Sequence, residues 1–445
     1  MSVEKKNTTL QDENFDGLTA AEIEAQHPAD AADTIEGLDI SDQVKFIKQL
    51  PVKDAADSIA EMDDLDQQAL IVNLNKGLAA RILEHMAPDD ATDLLEGLEE
   101  EQRRALLNMV TAEDRAELNT LLTFDPDTAG GVMNTEVVIL DQDLTADEAI
   151  AKIREEVEDK EIPYYAYLTD KKDRLEGVVS LRDLLLAKRG VILKELVKTQ
   201  SLITVGYNID KEEVAHLIAH YNLLALPVVD FGNRLLGVVT VDDVIDIIHE
   251  EASEDMQTMV GAGADETTDS PVGFSVRKRL PWLIINVLFS ALSAWVVHLF
   301  EGNISEMAVL AVLMPIVANQ AGNAGQQALA VMIRQLAMER FDRKRAWLSV
   351  FRELRIGLLN AMIISSLVFG VGFVVSGKLI LSLVMGMALG VDMILGAVAG
   401  ASIPLLLKEM GRDPAQASSI FLTAITDSMG FFFLLGLAGL VLLNG

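Results

Sequence analysis

SIFLTAITDSMGFFFLLGLAGLVLLNG, residues 419–445, holds one carboxylate, Asp427, inside a stretch that is otherwise uncharged. It is long enough to cross a bilayer, which takes about 20 apolar residues in a helix. An ionisable group at that depth is costly unless it meets water, a partner or a proton, so Asp427 is a candidate functional residue by position. Ser419, Thr423 and Asp427 follow at i, i+4 and i+8, with Thr426 and Gly430 flanking that line, and this spacing predicts one polar helix face. Such a face lines a watery path, or holds a neutral Asp hydrogen-bonded between helices.

Working towards the N-terminus, four more apolar segments precede this one. The expected spans are 281–300, 307–333, 354–376, 379–407 and 415–443. Arg277, Lys278 and Arg279 come before the first, Arg340, Arg343, Lys344 and Arg345 follow the second, and Lys408 and Arg412 follow the fourth. The other loops hold Glu301 and Glu306, or Lys378 alone. Basic loops stay cytoplasmic, so the N-terminal region is expected inside and the C-terminus outside. No Lys or Arg lies in the middle of a span to pair with Asp427. The second span contains PIVANQAGNAGQQ (315–327), in which Asn319, Asn323 and Gln327 share a face beside Gln320 and Gln326. Those amides line a pore or tie helices together. The fourth span adds Asp392, with Gly386, Gly390, Gly396 and Gly400 as expected packing notches.

Residues 1–279 carry 26 basic and 59 acidic side chains, and residues 280–445 carry ten and nine. A soluble half this acidic repels nucleic acid and anionic lipid and attracts cations, although a merely solvated acidic surface is the plainer reading. Without cysteine, thiol catalysis, Cys-type zinc sites and disulfides are excluded. The polar start, MSVEKKNTTLQDENFDG, reads as a disordered N-terminus (1–20) without a cleavable signal.

In the soluble half, RLEGVVSLRDLLL (174–186) recurs as RLLGVVTVDDVID (234–246), each copy preceded by an apolar run of strand type. This duplicated unit is similar to a tandem pair of CBS domains, expected over 133–250. Ser180 to Asp183 and Thr240 to Asp243 match the S/T-x-x-D pattern with which some CBS pairs hold an adenine nucleotide, making Asp183, Thr240 and Asp243 candidate ATP contacts. A structural helix cap is the other reading. Upstream, HPADAADTIEGL (27–38), LPVKDAADSIAEM (50–62) and MAPDDATDLLEGL (86–98) repeat a Pro-opened, acidic amphipathic helix, predicting an all-α superhelical module over 21–132. After the repeats, Asp243, Asp246, Glu250 and Glu254 fall on one helical face, with Glu251 and Asp255 beside it. Like charges so spaced repel one another, and oxygen-seeking divalent ions would relieve that.

The order of parts resembles the MgtE family of magnesium channels and transporters over essentially the whole chain. The closest motif matches are PIVANQAGNAGQQ and DPAQASSIFLTAITDSMG (413–430). The resemblance implies a multidomain membrane protein: helical N domain, α/β CBS pair, connecting plug helix and linker (251–276), and a five-helix transmembrane domain (277–445). It implies a homodimer in the bacterial inner membrane that imports Mg²⁺ and is shut by cytosolic Mg²⁺. Asp427, Thr423, Asn323, Asn319 and Gln327 then line the pore. Asp243, Asp246, Glu251, Glu254, Asp255, Asp210 and Asp413 bind regulatory Mg²⁺. Two departures stand out: His220 and Asn222 replace residues that are acidic in the family, and Asp392 matches nothing in its pattern.

Rival classes remain. A membrane metalloprotease needs H-E-x-x-H, and HEEAS at His249 lacks the second histidine, so no enzyme is expected. A CBS sensor without transport leaves Asp427 unexplained. A carrier of Mn²⁺ or Co²⁺, or one coupled to protons through Asp392, is the nearer competitor.

Overall fold

In the structure, a computed structural model, residues 14–15, 18–19, 26–156, 164–197, 202–268, 270–338 and 343–443 are described. Within the segment expected to be disordered, Asn14–Phe15 (β1) and Leu18–Thr19 (β2) form a short antiparallel ladder, and the rest lies outside the described residues. The chain divides into two units, Met1–Ile248 and His249–Gly445.

The first unit opens with helices α1 (Pro28–Glu36), α2 (Ile40–Ile47), α3 (Val52–Ala60), α4 (Asp64–Asn73), α5 (Lys76–Leu83), α6 (Pro88–Glu96), α7 (Glu100–Leu107) and α8 (Ala112–Leu121). Each helix from α1 to α6 packs on the one two further along, so alternate helices form two layers over a continuous apolar core that includes Phe46, Ile59, Leu70, Ile82 and Leu95. Short amphipathic helices cannot bury an apolar face alone, and stacking supplies the missing partner. Pro28 and Pro88 start α1 and α6, where an amide N–H would lack a partner anyway. Two glutamates serve the same purpose at a distance. Glu36 Oε1 accepts the Asp63 N–H (2.6 Å) and Glu84 Oε1 the Thr111 N–H (2.9 Å), each at the opening of a later helix.

The two sequence repeats fold alike. β3 (Ile139–Asp141), β4 (Tyr165–Thr169) and β5 (Leu175–Ser180) form one sheet in that order, with α9 (Ala146–Glu156), α10 (Leu181–Leu186) and α11 (Leu193–Leu196) around it. β6 (Val205–Gly206), β7 (Ala225–Val229) and β8 (Leu235–Thr240) form the other, with α12 (Lys211–Tyr221). In each sheet the first pair is parallel and the second antiparallel, and the bulges at Leu168/Thr169 and Val228/Val229 occupy equivalent positions. The hairpin turns end on Asp173 and Asn233, with φ of 59° and 62°, a left-handed conformation that Asp and Asn tolerate. Asp170 and Asp230 each accept the backbone N–H of the following arginine, Arg174 and Arg234.

Helix α13 (Val241–Met259) runs from the second repeat across the division between units. The second unit continues with α14 (Val272–Leu299), the short α15 (Glu301–Glu306), α16 (Val309–Met338), α17 (Arg343–Ser376), α18 (Leu379–Glu409) and α19 (Ser418–Ala438), the last extended by a π-helical turn, Gly439–Leu443. Four of these, α14, α17, α18 and α19 with its π-turn, are long and apolar enough to cross a membrane. α16 has the length but not the hydropathy, because of its amide run. The apolar window of α18 is 56% buried, against 6% for α14 and for α17. α18 is therefore the central helix, with α16, α17 and α19 packed on it. Close approach requires its glycines. A Cβ on Gly396 would stand 2.5 Å from the Ala321 carbonyl oxygen, and one on Gly400 would collide with the carbonyl oxygen of Gly325.

Candidate ion pathway and cytosolic acidic site

α19 divides its polar residues among three faces. Ser419, Thr423 and Asp427 are half-buried along one line, as the spacing predicts. Thr423 Oγ1 donates to the Ser419 carbonyl (2.8 Å), tightening the helix without using a neighbour. Thr426 and Gly430 are buried, Gly430 against the Asp392 carboxylate and Thr426 close to Gly322 and Gly396. Ser428 faces the first long helix, where its hydroxyl meets that of Ser293 at 2.9 Å.

On α16, Asn319, Asn323, Gln326 and Gln327 are exposed and Gln320 is half-buried. Amides tying helices together would be inserted between them, whereas these lie open. Asp392 behaves differently. It is 0% exposed, and neither carboxylate oxygen has a hydrogen-bond partner among the described residues. Val317, Leu389, Met393 and Leu434 form the surrounding apolar cluster. It is sealed where Asp427 is half-open, although the two carboxylates lie within electrostatic reach of one another.

At one end of these helices the tail of α13 is fixed in place. The Thr258 carbonyl accepts the Ala417 N–H (2.8 Å), and Met259 packs with Leu329, Ile333, Ala415 and Leu422. Gln257 Nε2 donates to the Glu266 carbonyl (2.9 Å), and the Glu266 carboxylate accepts from Arg279 Nε (3.0 Å). Arg279, together with hydrogen bonds from Ser275 and Gly263, holds Glu266 down at about 2. The connecting helix thus ends against the starts of α14 and α19.

The acidic residues singled out by sequence have different surroundings. Asp246 is exposed, and Glu251, Glu254 and Asp255 are half-buried on α13. Asp210 caps α12, accepting the Glu212 N–H (2.9 Å), and Asp413 accepts the Ala415 N–H (2.8 Å) at the approach to α19. Ser180 caps its helix, donating from Oγ to Asp183 Oδ2 (2.9 Å) and accepting the Asp183 N–H (3.1 Å), whereas at the second repeat the Asp243 carboxylate accepts from Thr240 Oγ1 (2.5 Å) and from the Thr240 N–H (3.2 Å).

Asp243 also belongs to a group that the sequence did not reveal. Asp89 and Asp93 of α6 lie within its electrostatic reach, and Asp89 is only 8% exposed, accepting from Asn134 Nδ2 at 3.2 Å. Both sit in MAPDDATDLLEGL, where Asp89 is buried and Asp93 is exposed, and nothing local tells which acid of that helix turns inward. Burial first, then Asp90 and Asp243, push Asp89 well up, and burial likewise raises Asp243. Burial, then Glu96, Asp64 and Asp243, push Asp93 up to about 7, with Lys211 opposing. The carboxylates whose oxygens converge within 4.8 Å of one another are those of Glu36, Asp63 and Asp66, while Asp89, Asp93 and Asp243 make an acidic neighbourhood that attracts a hard divalent cation.

This crowding makes stability pH-dependent. Between its ordinary 3.8 and about 7, Asp93 holds its proton in the folded state and loses it on unfolding, so stability falls as pH rises through that window. Asp93 is exposed, so solvent screens part of the effect and the slope stays below the full value of about 1.4 kcal/mol per pH unit. For the N-terminal unit in chelator, the melting midpoint is expected to drop by roughly 1–3 °C between pH 6 and pH 8. Millimolar Mg²⁺ should abolish that drop; a midpoint already flat in chelator would contradict the assignment.

Comparison with known proteins places these features in a single lineage. A family model described as the MgtE intracellular N domain matches residues 26–127, the CBS domain model matches 129–190 and 193–250, and the MgtE model, a divalent cation transporter, matches 314–437. The magnesium transporter MgtE of Bacillus subtilis is 32% identical over 416 residues, covering 94% of this chain and 92% of that protein. The magnesium transporter MgtE of Thermus thermophilus is 32% identical over 399 residues, 83% of this chain and 88% of that one. A crystal structure of the soluble part of a magnesium transporter superposes on 52% of this chain and 91% of its own length, with TM-score 0.50 and 32% identity. The parts together define a membrane transporter of divalent cations with a cytosolic helical domain and a CBS pair. The chain belongs to the MgtE family of magnesium transporters.

Proposed function

We propose that the protein is a Mg²⁺ channel or transporter that imports Mg²⁺ across the bacterial inner membrane and is closed by cytosolic Mg²⁺. One observation carries the reading: a continuous half-buried line, Ser419–Thr423–Asp427, on a helix packed beside the exposed amides of α16. Mg²⁺ gives up its waters reluctantly, so a path that presents a few oxygens to a hydrated ion suits it better than a stripping cage. In this reading α16 is the fifth span, its amides facing water rather than lipid, and the C-terminus lies outside. The domains run 21–132, 133–250, 251–276 and 277–445, and an enzymatic role is set aside because the relatives are transporters.

A homodimer completes the path. Leu185 and Ile245, equivalent positions of the two repeats, are 72% and 54% exposed, and apolar pairs this open at repeated positions fit a second copy of the same module. Closure follows from the acids: Mg²⁺ held by Asp89, Asp93 and Asp243, and by Asp246, Glu251, Glu254, Asp255, Asp210 and Asp413, favours the compact cytosolic state that it binds best. ATP at Asp183, Thr240 and Asp243 is a second regulatory ligand in this reading, sharing Asp243 with the cation set.

The test is current through the purified protein in a planar bilayer, with Mg²⁺ the only permeant cation. Current should be present at micromolar cytoplasmic Mg²⁺ and shut as it rises to millimolar; absence of both current and vesicle flux would leave the sensor reading in its place. A proton-coupled carrier is the second reading, favoured by Asp392, an intramembrane carboxylate with no hydrogen-bond partner among the described residues. It requires flux without current that responds to an imposed pH gradient and is lost in Asp392→Asn.

A further inference from the structure

We propose that a cavity between the end of α16 and the start of α17 binds the headgroup of an anionic phospholipid. The cavity measures about 420 Å³ and is lined by Gln335, Arg345, Leu348, Ser349 and Arg352. That volume falls within the range of small-molecule sites, roughly 300–1,000 Å³. Arg345, Ser349 and Arg352 stand at i, i+4 and i+7, so two guanidiniums and a hydroxyl share one face of α17, opposite the Gln335 amide of α16. A guanidinium carries five N–H donors in a planar fork that matches phosphate oxygens, and it does not lose its charge.

The local charge contrasts with the rest of the chain. From Arg343 to Arg355 there are five basic residues and one acid, Glu353, in a protein of net charge −32. Arg343 is paired with Glu409 (2.7 Å), Arg352 gives one N–H to Glu353 (2.7 Å), and Arg345 has an interaction of its own, so the site draws on the remaining donors of two guanidiniums that are each already partly engaged. Charge counting alone orients a membrane protein, so a basic loop needs no concavity to do that. Two arginines, a hydroxyl and an amide around one hollow are what phosphate recognition adds.

Apolar surface beside the hollow selects a lipid over a soluble anion. Leu348 and Phe351 are each 60% exposed, and Val331, one turn before Gln335 on α16, is 50% exposed. Acyl chains cover such side chains, whereas inorganic phosphate or a nucleotide would leave them bare. Basic pockets between membrane helices on the cytoplasmic side take phospholipid headgroups by this combination. The location also gives the lipid a role. α16 and α17 pack mainly on α18 rather than on each other, so a headgroup held by Gln335 and the two arginines bridges the amide-bearing helix to its outer neighbour.

The proposal rests on the orientation given above, which puts this end of α16 and α17 at the cytoplasmic leaflet. It is tested on the full-length chain in detergent by titrating phosphatidylglycerol, phosphatidylcholine or inorganic phosphate and following the melting midpoint, with bound lipid counted by native mass spectrometry. At about 100 times its Kd, phosphatidylglycerol should raise the midpoint by roughly 5 °C or more, whereas phosphatidylcholine and phosphate should not. The double variant Arg345→Gln, Arg352→Gln should lose that shift and keep its Mg²⁺ flux in phosphatidylcholine vesicles. If the double variant does not fold, Ser349→Ala is expected to weaken phosphatidylglycerol binding several-fold. Equal shifts with both lipids, a full shift in the variant, or a phosphate shift as large as the lipid's each overturn the proposal. Detergent has no sidedness, so an inverted orientation would show separately, as maleimide labelling of Lys378→Cys from the cytoplasmic side, and would leave the lipid result intact.

Discussion

Asp427→Asn is expected to reduce Mg²⁺ flux by about 50-fold or more while leaving the protein folded and its cytosolic Mg²⁺ response intact. Across one layer of water, roughly 5 Å, a carboxylate and a dication attract by about 7 kcal/mol at an effective dielectric of about 20. If only a third of that survives competition with bulk hydration, the loss is still well over tenfold, at about 1.4 kcal/mol per decade. Asparagine keeps the shape and removes the charge, so an effect of this size reads electrostatics rather than packing. Asp427→Glu retains the charge and should recover a substantial part of the flux. The measurement is ²⁸Mg²⁺ uptake into vesicles at low internal Mg²⁺, with tryptophan fluorescence to check folding; near-normal uptake in the asparagine variant would remove Asp427 from the path.

The second large effect is structural. Gly400→Leu should lower the melting midpoint of the membrane unit by roughly 10 °C and reduce the yield of monodisperse protein. Any Cβ at that position runs into the carbonyl oxygen of Gly325, and because the obstacle is backbone, no change of rotamer relieves it. Overpacking a tight contact costs about 1–3 kcal/mol when side chains can yield, and more when they cannot. Each kcal/mol lowers the midpoint of a unit this size by roughly 2–4 °C. Gly370→Leu is the control, since a Cβ there meets nothing within 4 Å. If both variants melt alike, the close approach of α16 and α18 does not support the fold.

Much of this was legible in the chain itself. The 174–186 and 234–246 repeats announced two equivalent sheets, because strand length, turn residues and helix caps are local properties. The Pro-opened segments announced the helical module in the same way. Asp427 was found because a charge in an apolar stretch is conspicuous, and its companions Thr423 and Ser419 follow from helix periodicity alone. Gly396 and Gly400 were expected to be notches and are: each admits a neighbouring backbone.

The S/T-x-x-D pairs show the limit of a short pattern. Ser180 does cap its helix and Thr240 is bound by the Asp243 carboxylate, yet Asp243 is at the same time within electrostatic reach of Asp89 and Asp93, about 150 residues earlier in the chain. Asp392 shows it again. By sequence it was a second intramembrane carboxylate without a settled role; in the structure it is sealed against Gly430 among apolar side chains.

The sequence by itself determined the helices, strands and caps, the acidic character of one half, the apolar stretches of the other and the polar line that ends on Asp427. Only the tertiary structure decided that α18 is central, that Asp392 is sealed while Asp427 is half-open, that Asp89 and Asp93 come within electrostatic reach of Asp243, and that two arginines border one open hollow. Periodicity describes which residues share a face of one element. Which faces meet depends on how elements far apart in the chain pack, and packing is set by shape and close approach across the whole unit rather than by any local run of residues.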